Sequence, residues 1–129
     1  HRMRSETLRE IATTYDRLPG NAEALRELSQ VGVYVANASL CFALNRSLPI
    51  LNRHVMRVYS RVFDGDFPNS ESSRMEFDFT MLPDDGKTAR RCNLALLDSG
   101  SLVCTKRSPN CSECFASDYC QYYASENRP

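Results

Sequence analysis

No apolar run in this chain approaches the length needed to cross a bilayer, and no secretory signal pattern is visible, so no membrane partner is expected. No stretch alternates apolar and polar residues over a useful length, which argues against a β-sheet. Internal repeats and low-complexity tracts are also missing, so solenoids and tail-like segments are not indicated. Nor is there an excess of charge: Lys plus Arg number 16 and Asp plus Glu number 16. A general electrostatic attraction to nucleic acid is therefore not available. The distribution is less even. Asp64, Asp66, Glu71, Glu76, Asp78, Asp84 and Asp85 share one stretch, and Arg46, Arg53, Arg57 and Arg61 lie just before it. A local basic stripe in a neutral chain is compatible with DNA binding without demanding it.

What is present reads as an all-α fold with a modest core, as 129 residues, 42% hydrophobic and 25% charged, allow. Residues 5–17 place Leu8, Ile11, Ala12 and Tyr15 on one helical face, and a second helix covers 22–28. A break at Ser29-Gln30-Val31-Gly32 leads to a helix over 33–44, apolar nearly all round and so expected to be buried. Pro49 interrupts, and Asn52 stands where an N-cap belongs before a helix over 54–63 with Val55, Val58, Tyr59, Val62 and Phe63 on its apolar face. Arg53, Arg57 and Arg61 share another face, read either as an exposed stripe or as one facing phosphates. Residues 64–85 read as an acidic loop with at most one short helix, and 87–103 as the last long helix. Residues 104–123 are too rich in Cys, Ser and Pro for regular structure. This divides the chain into a helical part, 1–103, a cysteine loop, 104–123, and a tail, 124–129.

Six cysteines in so short a chain first suggest disulfides. Cys41 and Cys92 instead sit within helical patterns, as small hydrophobes do. The other four crowd into Cys104-x6-Cys111-x2-Cys114-x5-Cys120, which points to a metal centre in a reducing, intracellular compartment. Four thiolates satisfy either a [4Fe–4S] cluster or a structural zinc. The single C-x2-C pair leans toward iron–sulfur, since zinc sites usually show two. Lys106 and Arg107 lie inside the first interval, where a rigid loop could offer them to phosphates.

Three segments together carry a resemblance. The cysteine spacing is preceded by Asn93-Leu94-Ala95-Leu96-Leu97-Asp98-Ser99-Gly100-Ser101-Leu102-Val103. Upstream, Leu28-Ser29-Gln30-Val31-Gly32-Val33-Tyr34-Val35-Ala36-Asn37-Ala38 is similar to the pattern L-P-G-V-G-x-x-T-A-x-A. Between them, Pro49-Ile50-Leu51-Asn52-Arg53-His54-Val55-Met56-Arg57-Val58 is similar to P-I-x-D-x-x-V-x-R-V. In order and spacing the chain resembles the iron–sulfur DNA glycosylases of the helix–hairpin–helix superfamily, the group of endonuclease III and the adenine and archaeal thymine glycosylases. The resemblance implies a [4Fe–4S] cluster on Cys104, Cys111, Cys114 and Cys120. It implies double-stranded DNA with a mismatched or damaged base as partner. Gln30, Val31, Gly32, Tyr34, Arg53 and His54 would lie on the DNA side. The expected activity is N-glycosidic hydrolysis in base-excision repair, with the target nucleotide flipped out of the stack.

The chain departs from the pattern at informative places. Gln30 replaces the first hairpin glycine, at a position where a positive φ would favour glycine, and Ser29 replaces the proline. Asn52 occupies the position of the catalytic Asp, and an uncharged amide cannot balance a cationic sugar or act as a base. Tyr34 stands where bifunctional members carry a Schiff-base lysine, which implies a monofunctional, thymine- or adenine-type relative. The family has further helices upstream, so the resemblance implies a missing N-terminal segment or a partner chain, without which faces such as Val55, Tyr59 and Phe63 would be partly uncovered. A rival of another class is a catalytically disabled relative that acts as an iron–sulfur DNA-binding module.

Overall fold

The computed structural model describes residues 2–65 and 82–127, and within them every regular element is helical. Helices α1 (Arg2–Thr14), α2 (Ala22–Arg26), α3 (Val33–Leu44) and α4 (Arg53–Phe63) are followed by α5 (Gly86–Asp98). The latter runs directly into a π-helical turn, Ser99–Val103. Two short 3₁₀ turns, Cys111–Glu113 and Ser117–Tyr119, then precede α6 (Gln121–Glu126).

Local chemistry sets these boundaries. Asn21 caps α2 by accepting from the Ala24 amide at 2.8 Å. Asp85 caps α5 by accepting from the amide and the hydroxyl of Thr88 at 2.8 and 2.6 Å, and these bonds hold its carboxyl below the usual carboxylate range. Helices α3 and α4 both end on a left-handed residue, Asn45 (φ 52°) and Asp64 (φ 50°), residue types that tolerate that region.

Two apolar clusters make the core. Leu25, Ala36 and Leu40 pack with Leu28, Val31 and Leu48, which joins α2 to α3. Leu51, Val55, Met56 and Tyr59 pack with Leu96 and Leu97, which joins α4 to α5. Fully burying a side chain such as Ile50 or Val55 contributes about 1.5–3 kcal/mol before chain entropy is counted. Between the clusters runs the loop 45–52, held by two buried amides. Asn37 donates to the Pro49 carbonyl at 2.9 Å, and Asn93 to the Leu48 carbonyl at 2.9 Å. Asn93 also reaches the buried Cys41 sulfur at 3.4 Å.

Several expectations need correction. The first helix starts and ends about three residues early, and none of its residues is buried, Leu8 included. Bonds from Ser5, Thr7 and Thr13 to their own helix's carbonyls tie it only to itself. Helix α3 is buried on one side alone (Ala36, Asn37, Leu40, Cys41), where α2, α5 and the 45–52 loop meet it, with Tyr34, Val35 and Leu44 exposed. Conversely, Val55 and Tyr59 are covered by Leu96 and Leu97, and only Phe63 of that trio is exposed, stacked on Tyr59 at 6.0 Å. Residues 121–126, taken as irregular and tail, are helical and pack on α4. Of the acidic stretch 64–85, positions 66–81 lie outside the described residues.

Replacing Asn93 by Leu removes the donor to the Leu48 carbonyl and leaves that acceptor without it. A loss of about 2 kcal/mol in urea unfolding is expected; a loss under about 0.5 kcal/mol would sink the view that this amide holds the 45–52 loop.

Candidate functional site

The four clustered cysteines come together around one cavity. Cys104, Cys111, Cys114 and Cys120 line it with Val58, Val62, Val103, Pro109, Tyr122 and Tyr123. All four are free thiols, which stand in for the thiolates that would bind a metal. Burial first, and then the Cys104, Cys120 and Cys114 thiols, push the Cys111 thiol up, while Arg61 pulls it down. Mutual repulsion of that kind is relieved by a positively charged inorganic core, and the apolar walls would shield it from water. The donor set therefore fits such a group. No three His, Cys, Asp or Glu side chains among the described residues are set to hold a single metal ion.

Helix α4 ties this cavity to the rest of the chain. Arg57 Nε donates to the Cys104 carbonyl at 2.8 Å, and its Nη2 donates to the Gly100 carbonyl and lies 3.1 Å from His54 Nδ1. One turn later, Arg61 Nη1 donates to the Thr105 carbonyl at 2.7 Å and to the Cys104 sulfur at 3.3 Å. Its Nη2 donates to the Lys106 carbonyl at 3.0 Å. The guanidinium also lies 4.7 Å from the Tyr122 ring centre. The expected arginine stripe is thus divided: Arg53 is exposed, whereas Arg57 and Arg61 turn onto the end of the π-helical turn and the loop that follows it. Gly100 allows the approach, since a Cβ there would sit 2.8 Å from the His54 carbonyl oxygen. Sequence reasoning missed both arginines as loop braces, and it missed Asn37 and Asn93 as loop anchors. Polar residues inside otherwise apolar helical segments were the available signal for the asparagines.

The second constellation lies at the hairpin. Gln30 is exposed with φ 63°, so the position does require the left-handed region that a glycine enters at lower cost. The Val31 amide bonds to the Leu28 carbonyl at 3.2 Å, and the Val31 side chain packs on the α2–α3 core. Gly32 caps α3 with extended backbone (φ −89°) and has no side chain of its own to cap the helix. A hollow at this point is lined by Gly32, Val33, Tyr34, Val35, Asn37, Pro49 and Leu51, which brings the hairpin and the Pro49–Val58 segment together. Tyr34 stands at its rim, partly exposed. Asn52 follows the last lining residue, but its Oδ1 accepts from the His54 and Val55 amides at 2.9 and 3.0 Å, so it is the N-cap of α4. His54 Nδ1 is engaged by Arg57, so any outward contact would have to use Nε2.

Over 93% of its length the chain is 31% identical to the thymine/uracil-DNA glycosylase of Methanothermobacter thermautotrophicus, covering 57% of that protein. It is 37% identical over 81% of its length to the adenine DNA glycosylase of Mycolicibacterium smegmatis, covering 36% of it. The chain is a relative of the DNA glycosylases. It spans about half the length, or less, of the curated glycosylases it matches. The fold agrees: a thermostable thymine-DNA glycosylase superposes with a TM-score of 0.79 and 29% identity, over 96% of this chain and 58% of the other. Endonuclease III in a non-covalent DNA complex superposes with a TM-score of 0.78 at 19% identity, which bears on the helix–hairpin–helix fold alone. No family model matches the chain.

The cap and the hairpin give two stability tests. Asn52→Ala should cost about 1 kcal/mol in thermal or urea unfolding, whereas Asn52→Asp should stay within about 0.5 kcal/mol, since Asp caps equally well. Gln30→Gly should stabilise by about 0.5–1 kcal/mol by removing the left-handed strain of a side-chain-bearing residue. A destabilised Gln30→Gly protein would contradict the strain.

Proposed function

We propose that the chain serves as a monofunctional DNA glycosylase-like protein of base-excision repair, which releases a mismatched thymine or adenine from double-stranded DNA. The observation that carries the proposal is the hollow where the Gly32–Val35 backbone meets Pro49 and Leu51, at the N-terminus of α3. A helix N-terminus capped by a glycine suits a DNA phosphate without reading sequence. Beside it, an extruded nucleotide would meet the Tyr34 ring, an aromatic face with a hydroxyl that can donate or accept. In this reading Gln30, Val31, Arg53 and His54, which flank Gly32 and Asn52 in the sequence, would add further DNA contacts. No lysine stands at position 34 to form a Schiff base, so water rather than an amine would cleave the N-glycosidic bond, its hydroxyl passing to the sugar and its proton to the leaving base.

Asn52 shapes the chemistry by what it lacks. Its amide keeps the cap and the orientation of the first turn of α4, yet adds no negative charge beside a developing sugar cation. The Cys104, Cys111, Cys114 and Cys120 thiolates would hold a [4Fe–4S] cluster, which when bound supplies a rigid cross-link for a segment that has little core of its own. Reduced thiols of this kind fit an intracellular setting.

The cap contacts of Asn52 favour one further reading, a non-catalytic iron–sulfur module that binds DNA. Base release from duplexes with G·T and A·G mispairs, measured for the full chain and for Asn52→Asp, separates the two. Turnover that rises by about 10²-fold or more in Asn52→Asp is the expected result and marks the catalytic site. Mismatch binding with no release in either protein supports the module. Absence of both binding and release defeats the DNA reading altogether. Independently, protein purified without oxygen should be brown and hold iron and sulfide, and prolonged chelation should lower its melting temperature.

A further inference from the structure

The tightest set of contacts on the cysteine loop comes from a residue that is not a ligand. Arg61 reaches the backbone carbonyls of Thr105 and Lys106, the Cys104 sulfur and the Tyr122 ring, while its own carbonyl lies 3.5 Å from the Cys120 sulfur. One residue thus meets the first cysteine of the centre through its side chain and the last through its backbone carbonyl. A guanidinium suits the task because its planar fork can serve divergent acceptors at once while its face stacks on an aromatic ring. Among the described residues, Arg61 is also the cation that lies against the cavity wall.

We propose that Arg61 is a positioning residue of the four-cysteine centre, holding the Cys104–Lys106 end of the loop in its binding shape and tuning the bound cluster through its N–H···S bond to Cys104. This rests on the [4Fe–4S] reading above. Two consequences follow from general chemistry. A donor and a positive charge at a ligating sulfur stabilise the more negative state of a cluster, so they raise its reduction potential. A loop held by three hydrogen bonds before metal arrives opens less often once it is loaded, so the cluster is released more slowly. Titration of the cluster exchanges one electron with the electrode, with no bond made or broken.

The test compares anaerobically purified wild type, Arg61→Gln and Arg61→Lys, with Arg90→Gln, exposed on α5 and remote from the loop contacts, as control. Iron and acid-labile sulfide in the wild type come first: zinc in their place overturns the cluster reading itself, and the proposed potential shift with it, before any variant is read. With the cluster present, Arg61→Gln should lose iron to a chelator about tenfold faster or more and titrate at a more negative potential. Arg61→Lys, which keeps the charge but not the fork, should recover part of the potential while releasing iron almost as fast as Arg61→Gln. A potential and a release rate unchanged in Arg61→Gln overturn the proposal. Equal potentials for Arg61→Gln and wild type with faster release in the former overturn the tuning and leave a purely structural brace. Should Arg61→Gln fail to fold, by circular dichroism, Tyr122→Leu takes its place. It removes the stacking plate and leaves every ligand intact, so faster release is expected, and an unchanged rate overturns the brace.

Discussion

Helix α4 is the member on which the rest of the structure depends, because two of its faces and its N-terminus carry different loads at once. Val55, Met56 and Tyr59 bury against Leu96 and Leu97, and this is what attaches α5. Arg57 and Arg61, on a second face, bond the carbonyls of Gly100, Cys104, Thr105 and Lys106, where α5 ends and the cysteine loop begins. At its N-terminus, the Asn52 cap joins the helix to the loop that borders the hairpin hollow. A rigid rod of 11 residues therefore connects the hairpin side of the molecule to the cysteine cavity.

The division of labour between polar and apolar contacts follows from where each can act. Apolar area is sufficient to join α2 to α3 and α4 to α5, since those helices present continuous stripes. It is not sufficient for residues 104–120, whose apolar side chains are few and partly exposed, Phe115 and Tyr119 among them. There the chain is held by guanidinium groups on backbone carbonyls, and in the proposed loaded state by four thiolates on an inorganic core. Such hydrogen bonds to charged groups are worth more than neutral ones, and their acceptors would otherwise be left poorly paired at the end of α5. The buried amides of Asn37 and Asn93 solve the same problem for the 45–52 loop.

Asn52 shows how a structural task and a chemical one can be separated at a single position. Asp and Asn cap a helix almost equally, so substitution between them leaves the backbone path of the segment alone. Charge is the only property that differs greatly, and charge is what a glycosidic transition state draws on. The agreement of fold with DNA glycosylases is therefore a statement about scaffold, and in the proposed function turnover would hang on the group at position 52.

Much of this was legible in the residues themselves. The helix over 33–44, the cap at Asn52, the left-handed demand at Gln30 and the gathering of four cysteines rest on local rules, the periodicity of apolar residues, cap preferences and short sequence separation, which need no knowledge of distant neighbours. Tertiary structure decided the rest. That Arg57 and Arg61 leave the exposed stripe for the cysteine loop, that Asn93 anchors Leu48 across 45 positions, and that α3 is covered on one side only all depend on which elements meet. A side chain's periodicity states which face it is on; what that face touches is settled only when the chain has packed, because burial and long-range hydrogen bonds are properties of pairs of segments.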